Sequence, residues 1–239
     1  MIDLHCHLLP GVDDGAQDLQ NSRLMAKNLV SLGYRHVCCT PHLPWSTFTR
    51  SEAELDTLRD KLQQDLDAQG IELTLHVGAE HHSSVVGELM IDGNLVAFPR
   101  GDTFLMEFPL GGLPPGWEDL LFRLQVKGMQ PVLAHVERYP EVQADYKIVQ
   151  RFKERGCHIL VNLTSLVGGW DRKARHVAKE LVRSGLVDAV NSDMHRESEV
   201  DALREGLDEL RALVGAEALE QMTLHSPAIL AGIPLEEAP

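Results

Sequence analysis

The chain has 239 residues, 44% hydrophobic and 24% charged, which fits one globular domain with a sizeable core. Its formal charge of -14 argues against broad neutralisation of a nucleic-acid backbone, so no nucleic-acid partner is expected. No run of roughly 18 or more apolar residues occurs and the first residues lack the basic-then-apolar order of a signal peptide, so neither membrane insertion nor export is expected.

Short β-branched runs alternate with longer segments of helical period along the whole chain. A strand is expected over 2–7 and a helix over 19–32, closed by Gly33. Strand 36–40 and helix 51–69 follow, up to Gly70. Strand 73–78 precedes helix 82–92, and strand 103–108 precedes helix 116–127 with Gly128 behind it. Strand 131–135 leads to helix 145–155 and Gly156, and strand 158–163 to helix 171–184 and Gly185. Strand 187–192 precedes the last helices, 200–213 and 217–224. Seven βα units without a linker predict one α/β domain over 1–239, a closed or nearly closed parallel barrel with outer helices. An open doubly wound sheet shares the same periodicity. Residues 236–239 read as a loose tail.

The chemistry is positional. His5 and His7 close the first strand, His42 follows the second and Glu80 the third; Glu107 closes the fourth, His135 the fifth, and Asp193 and His195 follow the last. In a parallel barrel those C-terminal ends converge on one face. His5 and His7, at i and i+2, point to the same side of a strand and can share one ion. Imidazole and carboxylate without thiolate suits manganese, iron or zinc. Ions a few ångströms apart need bridging anions, and Glu80 is the candidate bridge. His81 and His82 read as the start of a helix, and Cys6, between the two histidines, as a packed side chain.

Other mechanisms fail. A cysteine-dependent tyrosine phosphatase needs an arginine six positions after its cysteine, but Cys6, Cys38, Cys39 and Cys157 are followed there by Val12, Pro44, Trp45 and Leu163. Nucleophile-elbow, phosphate-loop and dinucleotide motifs are absent. The four cysteines fit no disulfide framework, so reduced thiols and a cytoplasmic location are expected.

Asp3-Leu4-His5-Cys6-His7, Asp13-Asp14-Gly15, Thr40-Pro41-His42, Gly78-Ala79-Glu80, Glu107, Ala134-His135-Val136-Glu137-Arg138-Tyr139 and Asn191-Ser192-Asp193-Met194-His195 together resemble the polymerase and histidinol phosphatase (PHP) superfamily. Within it the chain is most similar to the bacterial manganese-dependent protein-tyrosine phosphatases of capsule and exopolysaccharide synthesis. The resemblance implies a distorted (β/α)7 barrel holding two or three divalent ions, manganese first, with iron and zinc as alternatives. It implies one ion on His5, His7, Glu80 and Asp193, a second on Glu80, Glu107 and His135, and a third on Asp14, His42 and His195, with Asp13 the neighbouring alternative to Asp14. Arg138 resembles the phosphate-contacting arginine. The stretch after His42 departs from the pattern, leaving Trp45, Arg50 and Arg196 as further candidate substrate contacts, Trp45 by stacking on an aromatic substrate.

The implied reaction is hydrolysis of a phosphomonoester by in-line attack of metal-activated hydroxide, with Arg138 sharing the equatorial oxygens. Asp13 or a nearby histidine is the candidate proton donor to the leaving group. Four assigned carboxylates against three divalent ions leave the centre net positive, which lets an acidic protein take an anionic ester. The implied partner is a phosphotyrosine protein, a bacterial tyrosine autokinase. A small-molecule phosphatase of the histidinol-phosphate type is the alternative; a polymerase-associated exonuclease and a non-catalytic scaffold are weaker ones. Oligomeric state is not legible.

Overall fold

The computed structural model describes residues 1–44 and 51–235, so Trp45, Arg50 and the 236–239 tail lie outside the described residues. Its strands are β1 (Ile2–Cys6), β2 (His36–Cys39), β3 (His42–Leu43), β4 (Thr74–Val77), β5 (Glu80–His82), β6 (Thr103–Glu107), β7 (Gln130–Leu133), β8 (His158–Asn162) and β9 (Ala189–Asn191). All strand pairings are parallel, in the orders β1-β2-β4 and β3-β5-β6-β7-β8-β9. β3 and β5 continue β2 and β4 beyond a short break. Pro41, which has no N–H to give a ladder, stands in the first break, and backbone bonds from Gly78 N to Cys39 O (3.0 Å) and Glu80 N to Pro41 O (2.9 Å) carry the pairing across. Counted as continuous runs, the strands among the described residues correspond to the seven expected.

The first and last runs meet. Asp193 N donates to His5 O (2.9 Å) and His7 N to Met194 O (3.1 Å), so the segment after β9 lies along the end of β1. A buried apolar cluster draws Ile2 and Leu4 from β1, Cys38 from β2, Leu105 from β6, Val132 from β7, Leu160 from β8 and Ala189 from β9, with Leu230 and Ile233 of the C-terminal segment. Two residues beyond Leu105, Leu160 and Ala189 on the same strand faces stand Glu107, Asn162 and Asn191. The polar site therefore rests on an apolar floor. A larger cluster of buried residues from strands, helices and loops forms the rest of the core.

Helix ends differ from the sequence expectation where local capping intervenes. The expected 145–155 helix is a 3-10 turn Tyr146–Ile148 running into Val149–Glu154, set off from a separate short helix Pro140–Ala144 because Asp145 is extended and its carboxylate caps Lys147 N. Gly215, at φ 82° and ψ 176°, breaks the helical geometry between the two C-terminal helices expected from the sequence. A short helix, Leu163–Val167, starts directly where β8 ends, a feature the periodicity did not reveal. Among the described residues no helix is long and apolar enough to cross a membrane.

Candidate metal centre

His5 and His7 project together from the end of β1, their Nε2 atoms 3.1 Å apart. Glu80 Oε2, opening β5, lies 3.2 Å from His5 Nε2 and 3.4 Å from His7 Nε2, and Asp193 Oδ1 lies 3.2 and 3.4 Å from the same atoms. Five of the six separations in this four-atom set are therefore 3.1–3.4 Å, close to the roughly 3.4 Å between corners of a tetrahedral shell with metal–ligand bonds of about 2.1 Å. The donor set, two imidazoles and two carboxylates, fits a divalent ion.

Glu80 faces two ways. Its Oε2 is also 3.0 Å from His42 Nδ1, while its Oε1 lies 2.8 Å from His135 Nε2. Glu107 closes the second group, 3.7 Å from His42 Nδ1 and 3.8 Å from His135 Nε2. The far side of His42 turns to a third group: Asp14 Oδ1 is 3.5 Å from both His42 Nε2 and His195 Nε2, and the His195 ring stacks on His7 at 3.9 Å. All nine residues expected as ligands are thus within one cluster. His42 and His7 each take part in two groups rather than one.

The backbone is bent to allow this. His135 (φ 34°) and Asp193 (φ 48°) are the non-glycine residues with positive φ among those described, a conformation an L-residue holds only when its surroundings enforce it. Tyr139 supplies part of that enforcement at the β6 and β7 ends. Its buried hydroxyl accepts from Phe108 N (3.0 Å) and donates to Ala134 O (2.8 Å). Gly15 is required where the Asp13–Asp14 loop crosses His7, since a Cβ there would stand 2.3 Å from His7 Cβ.

Asp13, a candidate proton donor in the sequence, is engaged by His7 and by two backbone N–H groups. Its Oδ2 lies 2.7 Å from His7 Nδ1 and accepts from His42 N (3.0 Å), and Oδ1 accepts from Gly15 N (3.0 Å). Burial works against its charge, but the His7 contact and the two N–H donors hold its carboxyl at about 2. It orients His7, a role that partners of metal-binding histidines commonly fill. Asp14, half exposed, is the member of the pair turned to His42 and His195.

Two further residues act in the same manner and escaped the sequence reading. Asn162 Nδ2 donates to Asp193 Oδ2 (2.6 Å), and Asn191 Nδ2 donates to Asn162 Oδ1 (2.8 Å), so a buried amide relay leaves Asp193 Oδ1 to face the histidines. Both close strands at the same face as the ligands. The sixth predicted strand offered no acid or imidazole at its end, and Asn162 fills that place. Asp3, fully buried, accepts from Ser192 N (3.1 Å) and His5 N (3.3 Å), tying the two ends together.

The electrostatics are those of crowded anions. Burial opposes charge on Glu80 and Asp193, yet the surrounding histidines, His5 foremost, hold both well below the usual carboxylate range. Burial and then the Glu80 charge push Glu107 up to about 7. Burial likewise raises Asp3 to about 6, against the bonds from Ser192.

Arg138 sits beside the cluster, Nη2 3.1 Å from Asp193 Oδ2, with its guanidinium carbon 4.5 Å from the centre of the Trp170 ring. It lines a cleft of about 460 Å³ that is also lined by His42, Glu80, Glu107 and His135. Arg196, expected as a substrate contact, is exposed and lines a separate hollow of about 150 Å³. The Glu199 carboxylate holds the His195 and Arg196 N–H groups there at 2.8 and 3.2 Å. Trp45 falls outside the described residues.

His81 and His82 lie on β5, and the next helix begins at Ser83 with His82 as its N-cap, one residue after the expected start. His81 is nevertheless no ligand: its Nδ1 meets Leu105 O at 2.8 Å and its Nε2 accepts from Val96 N at 3.2 Å, so both nitrogens are satisfied in the core. Cys6 packs away from the histidines, near Met194 O, and burial drives its thiol well above the ordinary range. Glu137 pairs not with Arg138 but with Ser165 Oγ (2.6 Å) and Asn162 N (3.2 Å).

The family described as capsular polysaccharide synthesis, CpsB/CapC, matches residues 1–231. The chain is 32% identical over 198 residues to the tyrosine-protein phosphatase YwqE of Bacillus subtilis, covering 82% of this chain and 77% of that one. It is 22% identical over 234 residues to the tyrosine-protein phosphatase CpsB of Streptococcus pneumoniae, covering 95% and 96%. Among solved structures, one from a study of YwqE and CpsB as metal-dependent tyrosine phosphatases superposes with a TM-score of 0.89 at 30% identity, covering 96% of this chain and 94% of that one. A histidinol phosphate phosphatase from Lactococcus lactis superposes at TM-score 0.54 and 12% identity, covering 87% and 93%, a likeness of fold alone.

Proposed function

The chain belongs to the CpsB/CapC family of capsular polysaccharide synthesis, and from that premise we propose that it is a metal-dependent protein-tyrosine phosphatase acting in capsule or exopolysaccharide synthesis. The observation that carries the reading is the four-atom set of His5, His7, Glu80 and Asp193, with both faces of Glu80 engaged and Arg138 beside it. His5, His7, Glu80 and Asp193 would hold one divalent ion, Glu80, Glu107, His135 and His42 a second, and Asp14, His42 and His195 a third. Manganese is the proposed ion.

Divalent ions bound there would neutralise phosphoryl oxygens and bring a water toward ionisation near neutral pH. The chain's own residues do the rest. Arg138 is anchored through Nη2 on Asp193, and its buried Nε has no acceptor, so it can donate to an equatorial phosphoryl oxygen. Asp13, through His7, keeps that ring's Nε2 aimed at the cluster. A phenol, with a pKa near ~10, leaves with little help from a general acid, which suits a site in which the Asp13 carboxyl is held low by His7. The proposed partner is a phosphotyrosine-bearing tyrosine autokinase in the cytoplasm.

The test joins metal analysis of the purified protein to a manganese-dependent assay of a phosphotyrosine peptide against histidinol phosphate. Greater efficiency on histidinol phosphate, or no phosphate released from either ester, overturns the reading.

A further inference from the structure

The cleft has an apolar wall that the metal cluster does not explain. Trp170, 51% exposed, stands at its rim, and Leu110, 40% exposed, also lines it. An indole left half in water normally finds cover, so its setting matters.

That setting is built. The carboxylate of Glu137, adjacent to Arg138, accepts from Asn162 N and Ser165 Oγ and so fixes the start of the helix Leu163–Val167. Gly168, in the left-handed region at φ 95°, ends that helix, and Gly169 N returns to Thr164 O at 2.8 Å. A Cβ on Gly169 would lie 2.8 Å from Thr164 Cβ, so only glycine permits the turn. Asp171 then caps the next helix through Ala174 N (2.7 Å). Trp170 is therefore held between two anchored helix ends. Its ring lies 4.5 Å from the guanidinium carbon of Arg138, the only Arg or Lys side chain among the described lining residues. Arg138 keeps a buried Nε without an acceptor. A ligand that satisfied that N–H with an anionic oxygen would have its organic part next to the indole.

We propose that Trp170 is a specificity-determining residue of this site, its exposed ring surface receiving the aryl group of a phosphorylated tyrosine while the phosphoryl oxygens reach Arg138 and the metal cluster. The inference rests on the phosphatase reading for its substrate class. Aryl phosphates are selected because the ring stacks on the indole and lies against Leu110; an alkyl phosphate presents no flat face and gains nothing there.

The experiment measures binding of phenylphosphonate and methylphosphonate, two inert analogues with the same anionic end, to the manganese-loaded protein by calorimetry. Aromatic contacts of this kind predict that Trp170→Ala weakens phenylphosphonate roughly tenfold and methylphosphonate less than twofold, with Trp170→Phe retaining most of the affinity. Unchanged phenylphosphonate binding overturns the proposal. So does an equal fall for both analogues, which would mean that Trp170 acts only through Arg138 or through the fold. Turnover of a phosphotyrosine peptide is followed on the same samples. Loss of aryl discrimination in Trp170→Ala with an inactive wild type sinks the phosphatase reading and keeps the aryl site; an active wild type whose discrimination survives the substitution does the reverse.

Discussion

Replacing Asp13 by asparagine separates a positioning role from a proton-donating one. The carboxylate accepts three hydrogen bonds on two oxygens, from His7 Nδ1 and His42 N on Oδ2 and from Gly15 N on Oδ1. An amide has only one oxygen, so in either orientation its NH2 group confronts at least one of those donors. The charge that strengthens the His7 contact is also lost. An unpaired donor and a weakened charged bond together cost about 2 kcal/mol, which places the loss in manganese affinity near thirtyfold, within the 10–100-fold range typical of such partners. Competition with a chromogenic chelator near neutral pH reads the affinity directly. Turnover at saturating manganese should recover most of the wild-type value. Unchanged metal affinity, with a loss of kcat that deepens from aryl to alkyl leaving groups, would refute the reasoning and make Asp13 the general acid.

Arg138→Ala should lower kcat/KM on an aryl phosphate by about 10² to 10³ while metal content stays at the wild-type level; loss of metal would show that its contact to Asp193 matters more than phosphate. Gly15→Ala places a Cβ 2.3 Å from His7 Cβ, an overpacking worth about 1–3 kcal/mol that should displace His7 and leave the purified protein under-loaded with manganese, so full loading by atomic absorption would contradict it. Burial lowers His81 to about 4 from 6.5, so the folded state favours its neutral form. Its stabilising effect is complete above about 6.5 and lost as pH falls toward 4. The stability advantage of wild type over His81→Gln in urea should narrow by up to about 3 kcal/mol across that window in metal-free protein, and a constant difference would refute the assignment.

The cluster was legible because parallel strands turn chain order into proximity. His5, His42, Glu80, Glu107, His135 and Asp193 each stand at or beside a strand's C-terminal end, and periodicity located those ends to within a few residues. What periodicity could not supply was direction. Asp13 and Asp14 are neighbours of the same type in one loop, and only the crossing of that loop over His7, permitted by Gly15, decides which carboxylate faces the cluster. Asn162 and Asn191 stayed hidden because a neutral amide is a weaker candidate than imidazole or carboxylate for holding such ions and is no general acid, although both close strands at the same face. Trp170 depends on a five-residue helix too short for any periodic signal, while Trp45, the tryptophan the sequence offered, lies outside the described residues.

The same geometry makes the centre a liability without its ions. Glu80, Glu107, Asp193 and Asp14 converge, and Glu107 is driven to about 7 by burial and its neighbour's charge. His135 and Asp193 hold positive φ. None of these features stabilises a metal-free barrel, and each is removed or offset by a divalent cation placed between the carboxylates. The apolar floor of Leu105, Leu160 and Ala189 keeps the strand ends fixed while that repulsion stands. Fold and site would thus divide the labour by position: the strands carry the clustered groups proposed to hold cations, and the turn from Leu163 to Asp171 carries the indole proposed to meet the organic part of the substrate. Exchange of that turn between relatives should therefore alter which esters are taken while leaving metal content unchanged.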